Sequence, residues 1–181
     1  NGVEVVLADS GVDAADIEIF VHGTTLATNA LIERKGAKLA FLTTDGFRDI
    51  MEMGFEKRFE HYDVFMDKPL PLVPRTKRYT VCERISARGQ TLLALDEDQV
   101  FAVAADMKAQ GIEAIAVGLM HAYAHPAHER RIRDILAAEL PDTTICISSE
   151  VCPEIREYER FSTTCANAYV RPLMSGYLYR L

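Results

Sequence analysis

The chain has 181 residues, of which 49% are hydrophobic, so it is long enough to form one domain with a substantial core. Its net charge of −7 argues against binding to a nucleic acid backbone, because such binding needs clustered Lys and Arg. No apolar run approaches the ~20 residues of a membrane span, and no signal peptide is visible. Four cysteines without a C-x-x-C pair predict reduced thiols in a cytoplasmic protein.

Helices and strands are predicted to alternate along most of the chain. In chain order the predicted elements are a helix over 3–10, a strand over 16–23, a helix over 25–34, a strand over 38–43, a turn and short helix over 43–54, a helix over 97–110, a strand over 113–120, a helix over 126–139, a strand over 143–148 and a helix over 160–180. This alternation indicates an α/β fold with parallel strands and crossover helices.

Residues 55–95 interrupt this pattern and predict an irregular insertion. The insertion contains three prolines and two β-like runs, RYTVCERIS and TLLALD, on either side of Arg88-Gly89-Gln90. A glycine between two such runs is typical of a β-hairpin. A second α/β segment is predicted over 96–150. Because both ends of the chain fall inside helical patterns, we expect a fragment of a longer protein, with 160–181 leading into a further domain.

The joint His22-Gly23-Thr24-Thr25 is the first candidate site. A strand that ends in glycine and hydroxyl residues and leads into a helix presents free backbone N–H groups to an anion. Asn29 lies four residues after Thr25 and would share its helix face. The alternative is an ordinary connection in which a threonine caps the helix and His22 bonds to a neighbouring loop.

A similar joint follows the second predicted strand. Thr43 and Thr44 end that strand, and Arg48 follows in the next turn. If the two strands are parallel neighbours, these residues would lie on the same sheet edge as His22, where ligands bind in open α/β sheets. The alternative is an Asp-Gly turn in which Arg48 pairs with Asp49 or Glu52.

The later polar segments offer weaker candidates. Glu150, Glu157 and Arg160 lie in a stretch of alternating acids and arginines that could equally form a solvated salt-bridge ladder on a helix. His121, His125 and His128 form an H-x3-H-x2-H pattern. No acidic residue is clearly aimed at them, so we predict no metal site there.

Four blocks of the chain, in order, resemble the N-terminal region of the hydantoinase A/5-oxoprolinase family, which includes subunits of acetone- and acetophenone-type carboxylases. The blocks are VHGTTLATNALIERKGAKLAFLTTDGFRDI, KPLPLVPR, HAYAHPAHERRI and SSEVCPEIREYERFSTTCANAYVRP. One departure is Phe161, where a small hydroxyl residue is expected from the resemblance.

The resemblance implies a ribonuclease H-like fold of the actin/sugar-kinase type and an ATP-dependent enzyme that opens a hydantoin- or 5-oxoproline-like ring. It implies ATP and Mg²⁺ as cofactors and a possible partner similar to the hydantoinase B subunit. Family members typically begin with a D-x-G-G-T phosphate loop, which this chain does not contain, so we expect the chain alone to be inactive. On this basis the expected catalytic residues are His22, Thr25 and Asn29. The expected substrate- or nucleotide-binding residues are Gly23, Thr24, Thr43, Thr44, Arg48, Glu150, Glu157 and Arg160.

Two alternatives remain open from the sequence. The chain could belong to a subunit of an ATP-dependent ketone carboxylase, which the same family includes. It could also be a non-catalytic binding or scaffolding domain. The sequence does not identify the ring substrate or the oligomeric state.

Overall fold

Alternating helices and strands build the molecule, which is described here as a computed structural model covering residues 2–19, 21–54, 62–65 and 69–180. The helices are α1 (Gly2–Ser10), α2 (Leu26–Ile32), α3 (Ile50–Met53), α4 (Glu97–Ala109), α5 (Ala127–Glu139), α6 (Ser148–Val151) and α7 (Glu157–Leu178), and the strands are β1 (Leu39–Thr44), β2 (Arg78–Val81), β3 (Arg84–Ile85), β4 (Thr91–Leu93), β5 (Ala114–Gly118) and β6 (Thr144–Ile147). The predicted α/β class is therefore confirmed.

A parallel sheet in the order β2-β1-β5-β6 forms the centre of the fold. β1 and β5 are the inner strands, and every residue in both is buried. Parallel strands that are covered on both faces have continuous apolar sequences, as these two do. The sequence therefore predicts both inner strands correctly.

Helices cover the two faces of this sheet and give each its own core. On one face, α4 and α5 pack against side chains such as Leu42 and Val117. On the other face, α7 packs against Phe41, Ala114 and Ala116. Because neighbouring residues of a strand point to opposite faces, β1 and β5 contribute to both cores.

The face of β5 that meets α7 carries only small residues. Ala114, Ala116 and Gly118 alternate along it, and a Cβ built on Gly118 would lie 2.4 Å from the ring of Phe161. Phe161 is fully buried, and its ring centroid lies 5.3 Å from that of Phe41 with the two ring planes tilted by 52°. The residue that departs from the family pattern is thus a core residue that occupies the space above a glycine.

The predicted strand over 16–23 is wrong. Ala14–Asp16 form a 3₁₀ turn, and residues 17–19 and 21–25 form neither helix nor strand. Ile19 is 79% exposed and Val21 is 86% exposed. A strand needs a neighbouring strand to accept its backbone hydrogen bonds, and none of the strands in the described ranges lies beside this segment.

The predicted hairpin is correct only in part. β3 and β4 pair antiparallel around Gly89, which has a positive φ of 81°. β2, which belongs to the first predicted run, pairs in parallel with β1 and forms an edge of the main sheet. The buried side chain of Val81 explains this pairing, because it adds to the core that α4 and α5 cover.

Local capping residues explain both ends of α4. The Asp96 carboxylate accepts a hydrogen bond from the N–H of Gln99 at the start of α4, and Gly111 follows its end with a positive φ of 61°. In the part of the chain that the structure describes, no helix combines the length and apolar character needed to cross a bilayer.

Candidate functional site

Thr44 lies at the carboxyl end of β1 and joins two strand ends. Its Oγ1 accepts a hydrogen bond from the N–H of Met120, just after β5, at 3.1 Å. The same hydroxyl donates a short hydrogen bond to Glu83, which follows β2. The other carboxylate oxygen of Glu83 accepts from His128 Nδ1 at 2.7 Å. The ends of β1, β2 and β5 therefore share one buried polar cluster.

Arg160 lies in the same region, at the start of α7, and is fully buried. Its guanidinium donates to the carbonyls of Leu119 and Glu154 at 2.9 Å and 2.8 Å, and to Ser148 Oγ at 3.1 Å. Its charge also lies 3.6 Å from a Glu157 oxygen. With its donors engaged in this way, Arg160 holds the segments that follow β5 and β6 in place.

Glu129 completes this second cluster and is fully buried. It accepts hydrogen bonds from the N–H groups of Leu119 and Ser149, both at 2.9 Å, and from Ser148 Oγ at 2.6 Å. Burial nevertheless raises the pKa of Glu129 above its usual range, because desolvation outweighs those hydrogen bonds. The hydrogen bonds that link Glu129, Ser148 and Arg160 thus hold the segments after β5 and β6 together at the carboxyl edge of the sheet.

Thr43 differs from its neighbour. It is fully buried on the opposite side of β1, and its Oγ1 has no hydrogen-bond partner among the described residues. An unsatisfied buried hydroxyl costs about 1–3 kcal/mol. The two threonines of the predicted site therefore lie in different environments.

The His22-Gly23-Thr24-Thr25 joint is exposed and lies away from this edge. His22 Nε2 lies 2.6 Å from the hydroxyl of Tyr177. Tyr177 is about 25 Å along α7 from Arg160, at a helical rise of ~1.5 Å per residue. The expectation that His22 shares a sheet edge with Thr43 and Thr44 is wrong, because the strand that would carry His22 there does not form.

The joint is more open than a capped helix start. Thr25 occupies the N-cap position of α2 without a capping hydrogen bond from its side chain. Its hydroxyl instead accepts from Asn29 Nδ2 at 3.4 Å, and Thr24 Oγ1 accepts from the Leu26 N–H. A Cβ on Gly23 would have no heavy atom within 4 Å. Of the three predicted catalytic residues, Thr25 and Asn29 are thus in contact with each other.

Arg48 does not pair with the acids expected for it. Arg75 holds the carboxylate of Asp49 through two hydrogen bonds of 2.9 Å and 3.0 Å, and these bonds lower the pKa of Asp49. Glu52 accepts from Arg78 at 2.7 Å. Arg48, Arg75 and Arg78 line a surface cavity of about 450 Å³ beside β2.

The remaining candidates lie in separate places. Glu150 pairs with Arg133 of α5 at 2.5 Å. The ring of His125 lies against Gly89 in the hairpin, while His128 contacts Glu83. Among the described residues, no group of three His, Cys, Asp or Glu side chains could hold a metal ion.

Sequence reasoning missed Glu83, Glu129 and Ser148. Each follows a strand or begins a helix, and an acid or hydroxyl directly after a buried strand is a usable signal in an α/β sheet. Their partners are far away in sequence, however, so the pattern alone does not reveal the clusters.

The order of the strands and the polar carboxyl edge define a doubly wound α/β domain, a class in which ligands bind beyond the strand ends. The chain belongs to the hydantoinase/oxoprolinase family, since residues 1–140 match its N-terminal region.

Three comparisons illustrate this membership. The caprolactamase subunit alpha of Pseudomonas jessenii is 38% identical over 169 residues, which is 92% of this chain and 24% of that protein. The crystal structure of the ATP-dependent caprolactamase from Pseudomonas jessenii matches 99% of the chain and 27% of its own, with a TM-score of 0.87 and 36% identity. A nucleotide-free acetone carboxylase structure matches 92% of the chain and 26% of its own, with a TM-score of 0.82 and 29% identity. The chain thus spans about a quarter of these proteins.

Proposed function

We propose that the chain is the N-terminal part of an ATP-dependent enzyme that opens a hydantoin- or 5-oxoproline-like cyclic amide. The similarity to an ATP-dependent caprolactamase across 99% of the chain carries this proposal, because caprolactam is a ring amide. Amide resonance makes such a carbonyl a poor electrophile, and ATP would supply the activation of the carbonyl oxygen.

Two of the expected nucleotide-binding features, the start of α2 and Arg160, are poorly suited to hold a triphosphate by themselves. Phosphate binding needs backbone N–H groups at a helix start or free cations. α2 has only seven residues, and the guanidinium of Arg160 is already bonded to carbonyls and a hydroxyl. We therefore assign the main contacts to ATP and its Mg²⁺ to other parts of the enzyme.

We propose that this chain contributes three catalytic residues, His22, Thr25 and Asn29, which would lie near the nucleotide or the substrate. Their exposure and the open space around Gly23 support this role. Thr43, Thr44, Arg48, Glu150, Glu157 and Arg160 remain proposed binding residues. Of these, the contacts of Thr44 and Arg160 favour organising the carboxyl edge.

The test is ATP hydrolysis by the full-length gene product with hydantoin, 5-oxoproline or caprolactam. We expect at least one of these ring amides to stimulate ATP hydrolysis and to yield its ring-opened product. If none of the three ring amides stimulates ATP hydrolysis by a folded protein that binds ATP, the proposal is contradicted.

Substitution of Thr25 tests the joint. Thr25→Val removes the hydroxyl next to Asn29 and should lower turnover, while circular dichroism should show an intact fold. Thr28→Val is the matched control, because Thr28 is an exposed threonine on the same helix. Equal turnover in the two variants would mean that the Thr25 hydroxyl has no catalytic role and that the joint is purely structural.

A ketone carboxylase subunit is the second candidate, supported by the acetone carboxylase match. Such an enzyme would hydrolyse ATP only with bicarbonate and a ketone, in the presence of partner subunits. One relative is itself a subunit alpha, which supports a partner for this protein as well.

The four free thiols support a cytoplasmic location.

A further inference from the structure

The order of the parallel sheet creates a point at which the chain changes direction. From β1 the chain passes to β2 on one side, and it then crosses past β1 to β5 and β6 on the other side. α3, which follows β1, packs on α7, whereas α5, which follows β5, packs on α4 over the opposite face. The loops that leave β1 and β5 therefore diverge, and sheets of this kind bind small ligands in the crevice between such loops.

One polar cluster lies at this point, and we name it the switch-point cluster (Thr44, Glu83, Met120 and His128). Thr44 and Met120 belong to the two strand ends from which the loops diverge, and a 3.1 Å hydrogen bond joins them. Glu83 is held between the hydroxyl of Thr44 and the ring of His128. The side chain of Glu83 is 0% exposed, whereas that of His128 is 15% exposed.

This geometry sets the proton position on His128. A carboxylate oxygen only accepts hydrogen bonds, so Nδ1 carries the proton that points to Glu83. In the neutral ring, Nε2 then presents a lone pair, and it has no hydrogen-bond partner among the described residues. A histidine that a buried carboxylate orients in this way is suited to accept a proton.

His125, which lies just before α5, has a packing role that differs from that of His128. The ring of His125 covers Gly89, where an added Cβ would lie 2.7 Å from it, so His125 packs the hairpin against the domain. Of the other charged side chains near the start of α5, Arg131 is paired with Glu97 and Glu129 belongs to the Arg160 cluster. Among the described residues, Glu83 is the charged group that pairs with His128.

We infer that His128 is a catalytic proton acceptor at the switch point and that Glu83 positions it. This inference rests on the proposed ring-opening function. Nε2 takes a proton from water as the water O–H bond breaks, and the water oxygen forms a bond to the carbonyl carbon while the carbonyl π pair moves to its oxygen. An electron pair on that oxygen then re-forms the C=O bond as the C–N bond breaks with its own pair on nitrogen, and the nitrogen receives the proton from Nε2, which leaves a carboxylic acid and an amine.

The first experiment compares His128→Gln with His125→Gln in the full-length gene product, measured as formation of the ring-opened product. General base catalysis contributes roughly 10²–10⁴-fold, so His128→Gln should lower kcat by about that factor with little change in KM. The low-pH limb of the kcat profile should also disappear, since it reports protonation of the base. Glu83→Gln should also lower kcat, because the neutral amide no longer fixes the Nδ1 proton and the orientation of the His128 ring.

The second experiment uses the enzyme without substitutions and does not depend on turnover. Diethylpyrocarbonate modification, located by mass spectrometry, should label His128, and a saturating ring amide from the same panel should protect it while His125 remains unprotected. This measurement covers the case in which His128→Gln fails to fold.

The outcomes separate the two ideas. Ring opening by the unmodified enzyme with an unchanged kcat and pH profile in folded His128→Gln overturns the inference and leaves the proposed function standing. If the parent enzyme opens no ring amide, the proposed function fails and the inference fails with it. If the parent enzyme opens a ring amide but a saturating ring amide does not protect His128 from labelling, the inference alone is overturned.

Discussion

Thr43 and Thr44 allow the same substitution to be made at two adjacent positions with opposite expected results. Both are buried in β1, with side chains on opposite faces of the sheet. The Thr44 hydroxyl donates to Glu83 and accepts from Met120 N–H, whereas the Thr43 hydroxyl has no partner among the described residues. Valine has nearly the same shape as threonine, so it removes the hydroxyl with little change in packing.

The magnitudes follow from those contacts. Thr44→Val removes a hydrogen bond to a charged group, worth about 1.5–3 kcal/mol, and leaves the buried N–H of Met120 unpaired at a cost of about 1–3 kcal/mol. Because the two effects overlap, we expect the free energy of unfolding to fall by roughly 2–5 kcal/mol. Thr43→Val removes an unsatisfied hydroxyl and should leave the free energy of unfolding unchanged or raise it by about 1 kcal/mol.

Urea denaturation followed by far-UV circular dichroism measures both variants against the parent chain. Equal slopes of the transitions would show that the unfolded states are comparable, so that the midpoints report stability. Comparable losses in the two variants would refute the reasoning. They would mean that Thr43 has a hydrogen-bond partner that matters as much as those of Thr44.

Three further predictions rest on other buried groups. Gly118→Ala should lower the free energy of unfolding by about 1–3 kcal/mol in thermal denaturation, because its Cβ would overlap the ring of Phe161; Gly176→Ala, which has no heavy atom within 4 Å, is the control. Burial raises the pKa of Glu129, so the folded state keeps that proton to a higher pH than the unfolded chain, where it dissociates near ~4.3. The resulting contribution to stability is present at low pH and is lost as the pH rises above that value. Glu129→Gln should therefore flatten the fall of the urea midpoint with pH, and an unchanged slope would exclude Glu129 as its source. Ellman's reagent should leave Cys146 and Cys165 unlabelled until the protein unfolds, because both are buried and burial raises the pKa of the Cys165 thiol. Their labelling in the native protein, located by mass spectrometry, would contradict the described packing.

The parts of the fold that depend on local patterns were predicted well from the sequence. β1 and β5 are continuous apolar runs, and α4 lies between a capping Asp96 and Gly111, so nearby residues suffice to identify them. The predicted strand over 16–23 failed because β-branched residues favour a strand but do not supply its neighbour. The position of β2 likewise depends on which sheet edge is open, and local periodicity contains no such information.

The site was predictable in its parts but not in its contacts. Thr44 and Arg160 were named from the sequence, and both lie at the carboxyl edge of the sheet. Their partners Glu83 and Leu119 are 39 and 41 residues away, respectively, so only the folded topology brings them together. The roles proposed for His22, Thr25 and Asn29 stay predictions, as do the domain boundaries.

The small residues on β5 couple the volume of the core to the polar edge of the sheet. Because Ala114, Ala116 and Gly118 leave little height above the strand, α7 can lie close to it, and Arg160 reaches the Leu119 carbonyl from that position. A single added methyl group beneath Phe161 would lift the helix start and draw the guanidinium away from its acceptors. The size of one side chain deep in the apolar layer thus acts as a mechanical constraint on a charge at the edge.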